Sequence, residues 1–158
     1  MVNEKTLVII KPDAVSRGLI GEITRRFEKK GLKIAAMKME HLNEEKLTCH
    51  YGHHKEKAFF KELIEFMSSV PSVLLILEGK EAVSVVRKMC GSTCGREAES
   101  GTIRGDYSMS MQQNVVHASA TVEESEKEIE RFFEKKEISE YNKVDFDFLY
   151  CKSEKVNK

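Results

Sequence analysis

The chain has 158 residues, of which 41% are hydrophobic and 33% charged, and its 26 basic side chains balance its 26 acidic ones. That length suits one domain with a buried core, and a net charge of zero argues against a general nucleic-acid or membrane surface. No apolar run approaches the roughly 20 residues of a membrane helix, and the first residues resemble no targeting peptide. Four cysteines without a C-x-x-C pair predict a reduced, cytoplasmic protein.

The first part of the chain alternates between strand and helix patterns. Its continuously apolar run at 6–10 predicts a buried strand that ends at Lys11-Pro12. The patterns that follow predict, in chain order, a helix over 18–31, a strand over 32–40, helices over 43–51 and 58–69, a strand over 72–79 and a helix over 81–91. Asn43 is the predicted N-cap of the second of these helices.

The second part begins with a glycine-rich stretch. Residues 91–107 contain four glycines and little apolar material, so they predict a functional or disordered loop. Residues 108–119 are strand-like, and 121–136 predict a helix with a capping box made by Thr121 and Glu124. The last segment mixes aromatic and charged residues and is predicted to wrap the surface. This order indicates an α+β sheet covered by helices.

Three basic side chains are candidates for binding phosphate. Lys11 follows a buried strand, where its charge can point into a cleft, and Arg104 lies between glycines that permit close approach of a ligand. Arg87 belongs to an apolar helix, and the planar fork of arginine suits phosphate. Taken singly, a surface lysine and ordinary salt bridges explain these residues better. Neither a P-loop nor a Rossmann fingerprint is present.

Two stretches contain histidines that are candidates for chemistry. In NVVHASA, residues 114–120, small residues follow His117, and a neutral imidazole is a competent nucleophile toward phosphorus. A lone histidine at a strand end is nevertheless more often structural. The stretch CHYGHH brings together possible zinc ligands at Cys49, His50, His53 and His54. Their spacing matches no standard zinc pattern, so a solvated turn is the favoured interpretation.

The motifs KPDAV, RGLIGEI, HY, FF, GTIRGD and NxxHxS occur in one order between about Thr6 and Tyr150, and together they resemble the nucleoside diphosphate kinase family. The resemblance implies a ferredoxin-like α+β fold, with a four-stranded antiparallel sheet covered by helices. It implies one such domain over 1–158, with a core at about 6–150 and a polar tail at 151–158.

The activity that the resemblance implies is transfer of the γ-phosphate of a nucleoside triphosphate, commonly ATP, to a nucleoside diphosphate. The route is ping-pong through a phosphorylated His117. Mg²⁺ accompanies the nucleotide and is held mainly by its phosphates, so no protein side chain is expected as a metal ligand. The resemblance also implies a homo-oligomer, most often a hexamer. No membrane and no stable nucleic-acid partner is expected.

Individual roles follow from the same resemblance. The residues that it assigns to catalysis are the nucleophile His117 with Lys11, Tyr51, Ser119 and Glu128. The residues that it assigns to nucleotide binding are Lys11, Arg87, Thr93 and Arg104 at the phosphates, Asn114 at the ribose and Phe59 at the base. Stacking on Phe59 with few contacts to base edges predicts broad base specificity, because every base has a π-face.

Several positions depart from the residues that the family usually has. Ala120 replaces an aspartate, His53 replaces an acidic residue, and Gly95 and Ser100 stand where the loop usually has proline. The missing loop prolines predict a more mobile loop and a lower thermal stability, but not inactivity. Ala120 and His53 leave open a regulatory, nucleotide-binding relative with weak turnover. A nucleic-acid-binding α+β module is a further alternative, opposed by the zero net charge and the absence of an RNP1 pattern.

Overall fold

One antiparallel sheet organises the computed structural model of the chain, which describes residues 3–155. Its strands are β1 (Glu4–Ile10), β2 (Lys33–Glu40), β3 (Ser72–Gly79) and β4 (Val116–Ala118). Their spatial order is β2-β3-β1-β4, so β1 and β3 are central. Both central strands are almost completely buried, as their unbroken apolar runs require. The predicted ferredoxin-like α+β fold is confirmed.

Helices cover the sheet and connect its strands. They are α1 (Pro12–Ser16), α2 (Ile20–Lys29), α3 (Glu44–His50), α4 (Phe60–Met67), α5 (Ala82–Cys90), α6 (Ile103–Tyr107), α7 (Val122–Phe132), α8 (Phe146–Leu149) and α9 (Lys152–Lys155). The predicted cap of α3 is confirmed, because Asn43 Oδ1 accepts a 2.9 Å hydrogen bond from the Lys46 N–H. Thr121 caps α7 in the same way. Helix α1 was not predicted, although proline at a first helical position is favourable.

Each face of the sheet carries its own core, because successive strand residues point to opposite faces. Val8 and Ile10 of β1 pack on one side with residues of α2 and α5. Leu7 and Ile9 pack on the other side with residues of α3, α4 and α7. Directly opposite Ile9, on β4, lies His117. Opposed residues of an antiparallel pair share a face, so His117 lies on the side of α3 and α7.

Two expectations about residues 91–119 are wrong in part. The glycine-rich stretch is not structureless, since it contains a 3₁₀ turn at Gly95–Glu97 and helix α6, and it buries Cys94 and Ile103. The strand predicted over 108–119 shrinks to β4. Before β4 the chain forms local hydrogen bonds instead, and the Ser108 hydroxyl lies 3.0 Å from the Gln113 carbonyl oxygen, to which it can donate.

The C-terminal segment wraps the surface, as predicted. The Ser139 N–H donates to the Ala35 carbonyl at 2.7 Å, and the Tyr141 hydroxyl donates to the Ile34 carbonyl at 3.0 Å. The tail predicted at 151–158 forms α9, and residues 156–158 lie outside the described part of the chain. Within residues 3–155, none of the helices combines the length and the apolar character that a membrane crossing needs.

Candidate active site

A cleft of about 1150 Å³ opens where the chain leaves the carboxyl end of β1. It is bordered by α3, α4, α5, β4 and α7. The residues predicted for the site that line it are Lys11, Tyr51, Phe59, Arg87, Thr93, Arg104, Asn114, His117 and Glu128. Ser119 does not line the cleft but is completely buried behind Glu128. The fold therefore brings together residues that are more than 100 positions apart in the sequence.

A strained turn delivers the chain to His117. The Val116 N–H donates to the Asn114 carbonyl at 2.7 Å, which closes a γ-turn around Val115. Val115 has a φ of 61°, a conformation that costs energy for a β-branched residue. Asp13 Oδ2 accepts from the Val115 N–H at 3.1 Å, and the Lys11 N–H donates to the Val115 carbonyl at 2.9 Å. These bonds from the KPD motif hold the strained turn in place.

The His117 ring is oriented by a carboxylate. His117 Nε2 lies 3.0 Å from Glu128 Oε1, and the Ser119 hydroxyl donates to Glu128 Oε2 at 2.6 Å. Burial alone would raise the pKa of Glu128, but the hydrogen bonds and charges of its partners lower it to about 2. An ionised carboxylate can only accept hydrogen bonds. The proton of the neutral ring is therefore on Nε2, and the lone pair is on Nδ1.

Lys11 and Asn114 form a buried polar pair at the floor of the cleft. Lys11 Nζ donates to Asn114 Oδ1 at 2.6 Å and to the Gln112 carbonyl at 3.2 Å. Burial first and the nearby Arg104 charge second lower the pKa of Lys11 to about 8, although Asp13 opposes both. The Asn114 amide donates to the carbonyls of residues 93 and 111. Only the second lone pair of Asn114 Oδ1 is left for a ligand.

The two arginines of the cleft are held differently. Arg104 donates to the carbonyls of Gly91 and Val116, both at 2.8 Å, and burial is the main cause that lowers its pKa. Arg87 is exposed and makes one long bond of 3.4 Å to the Ala118 carbonyl. Arg104 is therefore fixed before a ligand arrives, whereas Arg87 can reorient. Such an arrangement of cations in one cleft suits an anionic, phosphate-bearing ligand.

The outer part of the cleft carries aromatic rings. Phe59 is 43% exposed, and its ring lies 5.4 Å from the ring of His54. Tyr51 is buried beside His117, with 6.2 Å between the ring centroids. Burial raises the pKa of Tyr51, so its hydroxyl stays protonated and can donate a hydrogen bond. Within residues 3–155 that hydroxyl has no hydrogen-bond partner.

His50 and Arg131 belong to the site although sequence reasoning did not select them. The solvated-turn interpretation is wrong for His50, which is 5% exposed and lies edge-on to His117 at 4.7 Å. Arg131 Nη1 donates to His50 Nδ1 at 3.1 Å. Helical spacing carries a signal for both, since His50 shares a helix face with the apolar Leu47, and Arg131 follows Glu128 by one turn.

A divalent metal has one candidate ligand set within the described residues. Atoms of His50, His117 and Glu128 lie within 4.8 Å of one another. Two imidazoles suit zinc, whereas Mg²⁺ prefers oxygen ligands, and Arg131 already occupies the Nδ1 of His50. This set does not fit Mg²⁺.

The positions that depart from the usual family residues have definite surroundings. Ala120 is exposed at the edge of the cleft, and its N–H donates to Glu124 Oε2 at 3.3 Å. The N–H of Gly95 donates to the Ser110 carbonyl at 3.0 Å, and a Cβ there would overlap the Ser108 carbonyl. Proline would not fit here, because it lacks the N–H that donates this hydrogen bond and its ring would need space that the Ser108 carbonyl occupies. The predicted mobility of the loop stays a prediction.

Comparison with known proteins gives a consistent result. The family model for nucleoside diphosphate kinase matches residues 4–138. The nucleoside diphosphate kinase of Parabacteroides distasonis is 53% identical over 96% of this chain and 99% of its own length. The structure of a halophilic nucleoside diphosphate kinase from Halobacterium salinarum in complex with CDP is 38% identical, with a TM-score of 0.92, over 95% of this chain and all of that one. A transition-state mimic of the Borrelia burgdorferi enzyme, with bound vanadate and ADP, is 40% identical with a TM-score of 0.87, over 92% and 95% of the two chains.

Proposed function

The chain belongs to the nucleoside diphosphate kinase family and is a phosphotransferase of nucleotide metabolism, and from this premise we propose that His117 carries the phosphate. The observation that supports the proposal is the hydrogen bond between His117 Nε2 and Glu128. It leaves the lone pair of Nδ1 as the nucleophile of a side chain that lines the cleft. Family membership favours phosphate transfer over the nucleic-acid-binding alternative.

The transfer proceeds in two displacements at phosphorus. His117 Nδ1 attacks the γ-phosphorus of a nucleoside triphosphate, so an N–P bond forms while the bond to the bridging oxygen breaks. The nucleoside diphosphate leaves with that electron pair. A second nucleoside diphosphate then enters, its terminal phosphate oxygen attacks the same phosphorus, and the N–P bond breaks. The proton stays on His117 Nε2 throughout, because the Glu128 carboxylate accepts its hydrogen bond and stabilises the cationic ring of the phosphorylated histidine.

The other cleft residues act through position and charge. Lys11, Arg87 and Arg104 neutralise the charge on the transferring group, and a lost donor of this kind costs on the order of 10²–10³ in rate. Tyr51 and Thr93 line the cleft and supply hydroxyl donors. The residues proposed for the nucleoside are Asn114, whose Oδ1 has a free lone pair for a ribose hydroxyl, and Phe59, whose exposed ring can stack on any base.

Mg²⁺ is proposed to enter with the nucleotide and to be held by its phosphates. When bound it would neutralise phosphate charge beside the lysine and the arginines. The cleft offers cationic side chains, whereas the phosphates of a nucleotide offer the hard oxygen ligands that Mg²⁺ prefers. This contrast supports a metal held by the nucleotide.

We also propose the assembly and the location of the protein. A homo-oligomer, with a hexamer as the expected form, is supported by edge strand β2, which exposes Met37 and Met39 by 48% and 57%. Sedimentation tests this, and a monomer would contradict it.

A cytoplasmic location is supported by the four free cysteines. We propose that residues 1–158 form one domain.

The experiment that tests the proposed route is a mass spectrum of the intact protein after brief mixing with ATP and Mg²⁺. We expect one added phosphate that disappears when GDP is added. A His117→Ala variant should bind nucleotide but gain no phosphate. An adduct that persists in the variant would contradict the proposal. Nucleotide binding without any adduct in the parent protein would also contradict it and would favour the regulatory relative, with Ala120 and His53 as the positions to revert.

A further inference from the structure

One hydrogen bond behind His117 has no part in the phosphate transfer described above. Arg131 Nη1 donates to His50 Nδ1 over 3.1 Å, and the same Nδ1 lies 3.6 Å from Glu128 Oε1. That oxygen is the one bonded to His117 Nε2 at 3.0 Å. Arg131, His50, Glu128 and His117 therefore form a continuous polar chain that ends at the proposed nucleophile.

The direction of the first bond fixes the proton of His50. A guanidinium has only donors, so its contact requires an unprotonated Nδ1 on His50. The proton of the neutral ring is then on Nε2, which is buried and has no hydrogen-bond partner within residues 3–155. A buried N–H without a partner is unfavourable. This tautomer therefore depends on Arg131, and without Arg131 the ring would gain by placing its proton on Nδ1, toward Glu128 Oε1.

The surroundings of His50 keep its ring neutral, so its hydrogen bonds depend on which of the two ring nitrogens carries the proton. Burial is the main cause that holds the pKa of His50 down at about 3, with His117, Arg131 and His53 acting in the same direction and Glu128 opposing them. The charged and titratable groups that surround this ring from β4, α7, α3 and the turn after α3 are His117, Glu128, Arg131, Tyr51 and His53. Among them Arg131 is the one that bonds to Nδ1.

We propose that Arg131 is a positioning residue that reserves Glu128 Oε1 for His117, by holding His50 in the tautomer that cannot donate to that oxygen. A carboxylate oxygen shared between two imidazole donors would bind each of them less strongly. His117 would then lose part of the restraint that orients its ring and part of the basicity that Glu128 confers on Nδ1. The inference rests on the proposed role of His117 as the phosphate carrier.

Three variants on one helix test this inference. Arg131→Met removes the donors and keeps an unbranched side chain, and Arg131→Lys restores one donor. Lys127→Met is the matched control, because Lys127 lies on the same helix and lines the same cleft, and within residues 3–155 Arg131, not Lys127, is hydrogen-bonded to His50. The measurements are ¹⁵N NMR of the imidazole nitrogens and the single-turnover rate of His117 phosphorylation as a function of ATP concentration.

In Arg131→Met we expect the His50 proton to move from Nε2 to Nδ1 and the ¹⁵N shifts of His117 to change. The maximal phosphorylation rate should fall about fivefold to tenfold, the worth of one net hydrogen bond, with the ATP concentration at half-maximal rate unchanged. Arg131→Lys should recover most of the rate, and Lys127→Met should leave the His50 signals as they are.

Three results would overturn the inference. One is an unchanged His50 tautomer in Arg131→Met. Another is an equal loss of rate in Lys127→Met, which would reveal a general effect of cleft charge. The third is a loss expressed as weaker ATP binding, which would make Arg131 a direct phosphate ligand. Failure of the parent protein to form any adduct would contradict the proposed function instead, and the NMR signals of His50 would still decide the positioning role.

Discussion

Replacing Glu128 by glutamine tests how strongly a buried carboxylate stabilises the fold through its charge. Burial would raise the pKa of Glu128, but the bonds and charges of His117 and its neighbours lower it from 4.5 to about 2. One pKa unit is worth about 1.4 kcal/mol, so this lowering favours the charged form by at most about 3.5 kcal/mol. Glutamine mimics the neutral acid. Because solvent in the open cleft screens part of the interaction, we expect the free energy of unfolding of Glu128→Gln to be about 2 kcal/mol lower than that of the parent near neutral pH.

The pH dependence of this difference has a definite sign. The folded pKa of Glu128 lies below the unfolded value, so its stabilisation is complete above about pH 5 and is lost as the pH falls from 4.5 through 2. Urea unfolding at one fixed protomer concentration measures the free energy of unfolding of both proteins. The difference between them should be constant from about pH 8 to about pH 5 and should narrow at lower pH.

The matched control is Glu126→Gln, since Glu126 is exposed on the same helix. It should change the free energy of unfolding by less than about 0.5 kcal/mol. Equal stability of the parent and Glu128→Gln near neutral pH would refute the reasoning, because the carboxylate would then contribute nothing through its charge. A difference that stays constant down to about pH 3 would refute it as well.

Two further predictions concern a titrating lysine and the fit of the glycines. Because the pKa of Lys11 is lowered to about 8, kcat/KM of the parent protein should fall as the pH rises above that value. The Lys11→Arg variant should not show this fall at alkaline pH, at whatever activity it retains. A parent profile that stays flat to about pH 10 would contradict the prediction. Gly105→Ala should destabilise the protein by about 1–3 kcal/mol, because its Cβ would overlap the Glu99 carbonyl. Gly21→Ala, in open space on α2, should stabilise it by about 0.5–1 kcal/mol, and thermal melts in which the two variants shift alike would contradict the packing argument.

The sheet and its helices could be predicted because their signals are local. The unbroken apolar runs of β1 and β3 identify central strands, and Asn43 and Thr121 mark helix starts through bonds to residues three positions away. The strand predicted over 108–119 is too long. Its residues do alternate between apolar and polar, but hydrogen bonds from side chains and the γ-turn at Val115 give the backbone before β4 a different path. Periodicity does not register side-chain hydrogen bonds, and the γ-turn is held by Asp13, about 100 residues earlier.

The candidate site was predictable where single residues carry specific chemistry in a recognisable order. Lys11, Arg104 and His117 each had an ordinary explanation alone, and only their order and spacing favoured a shared site. His50 and Arg131 were missed because their importance comes from a mutual hydrogen bond between α3 and α7. Contact between two helices that are distant in sequence follows from the tertiary fold, and no local pattern encodes it.

The measurement that tests the central claim most directly is ³¹P and ¹⁵N NMR of the trapped phosphoenzyme, prepared with ¹⁵N-labelled histidine. Because Glu128 holds Nε2 of His117, the phosphate should be coupled to Nδ1 of that ring, and Nε2 should carry its proton before and after transfer. Phosphate coupled to Nε2, or to any other histidine, would contradict the proposed site.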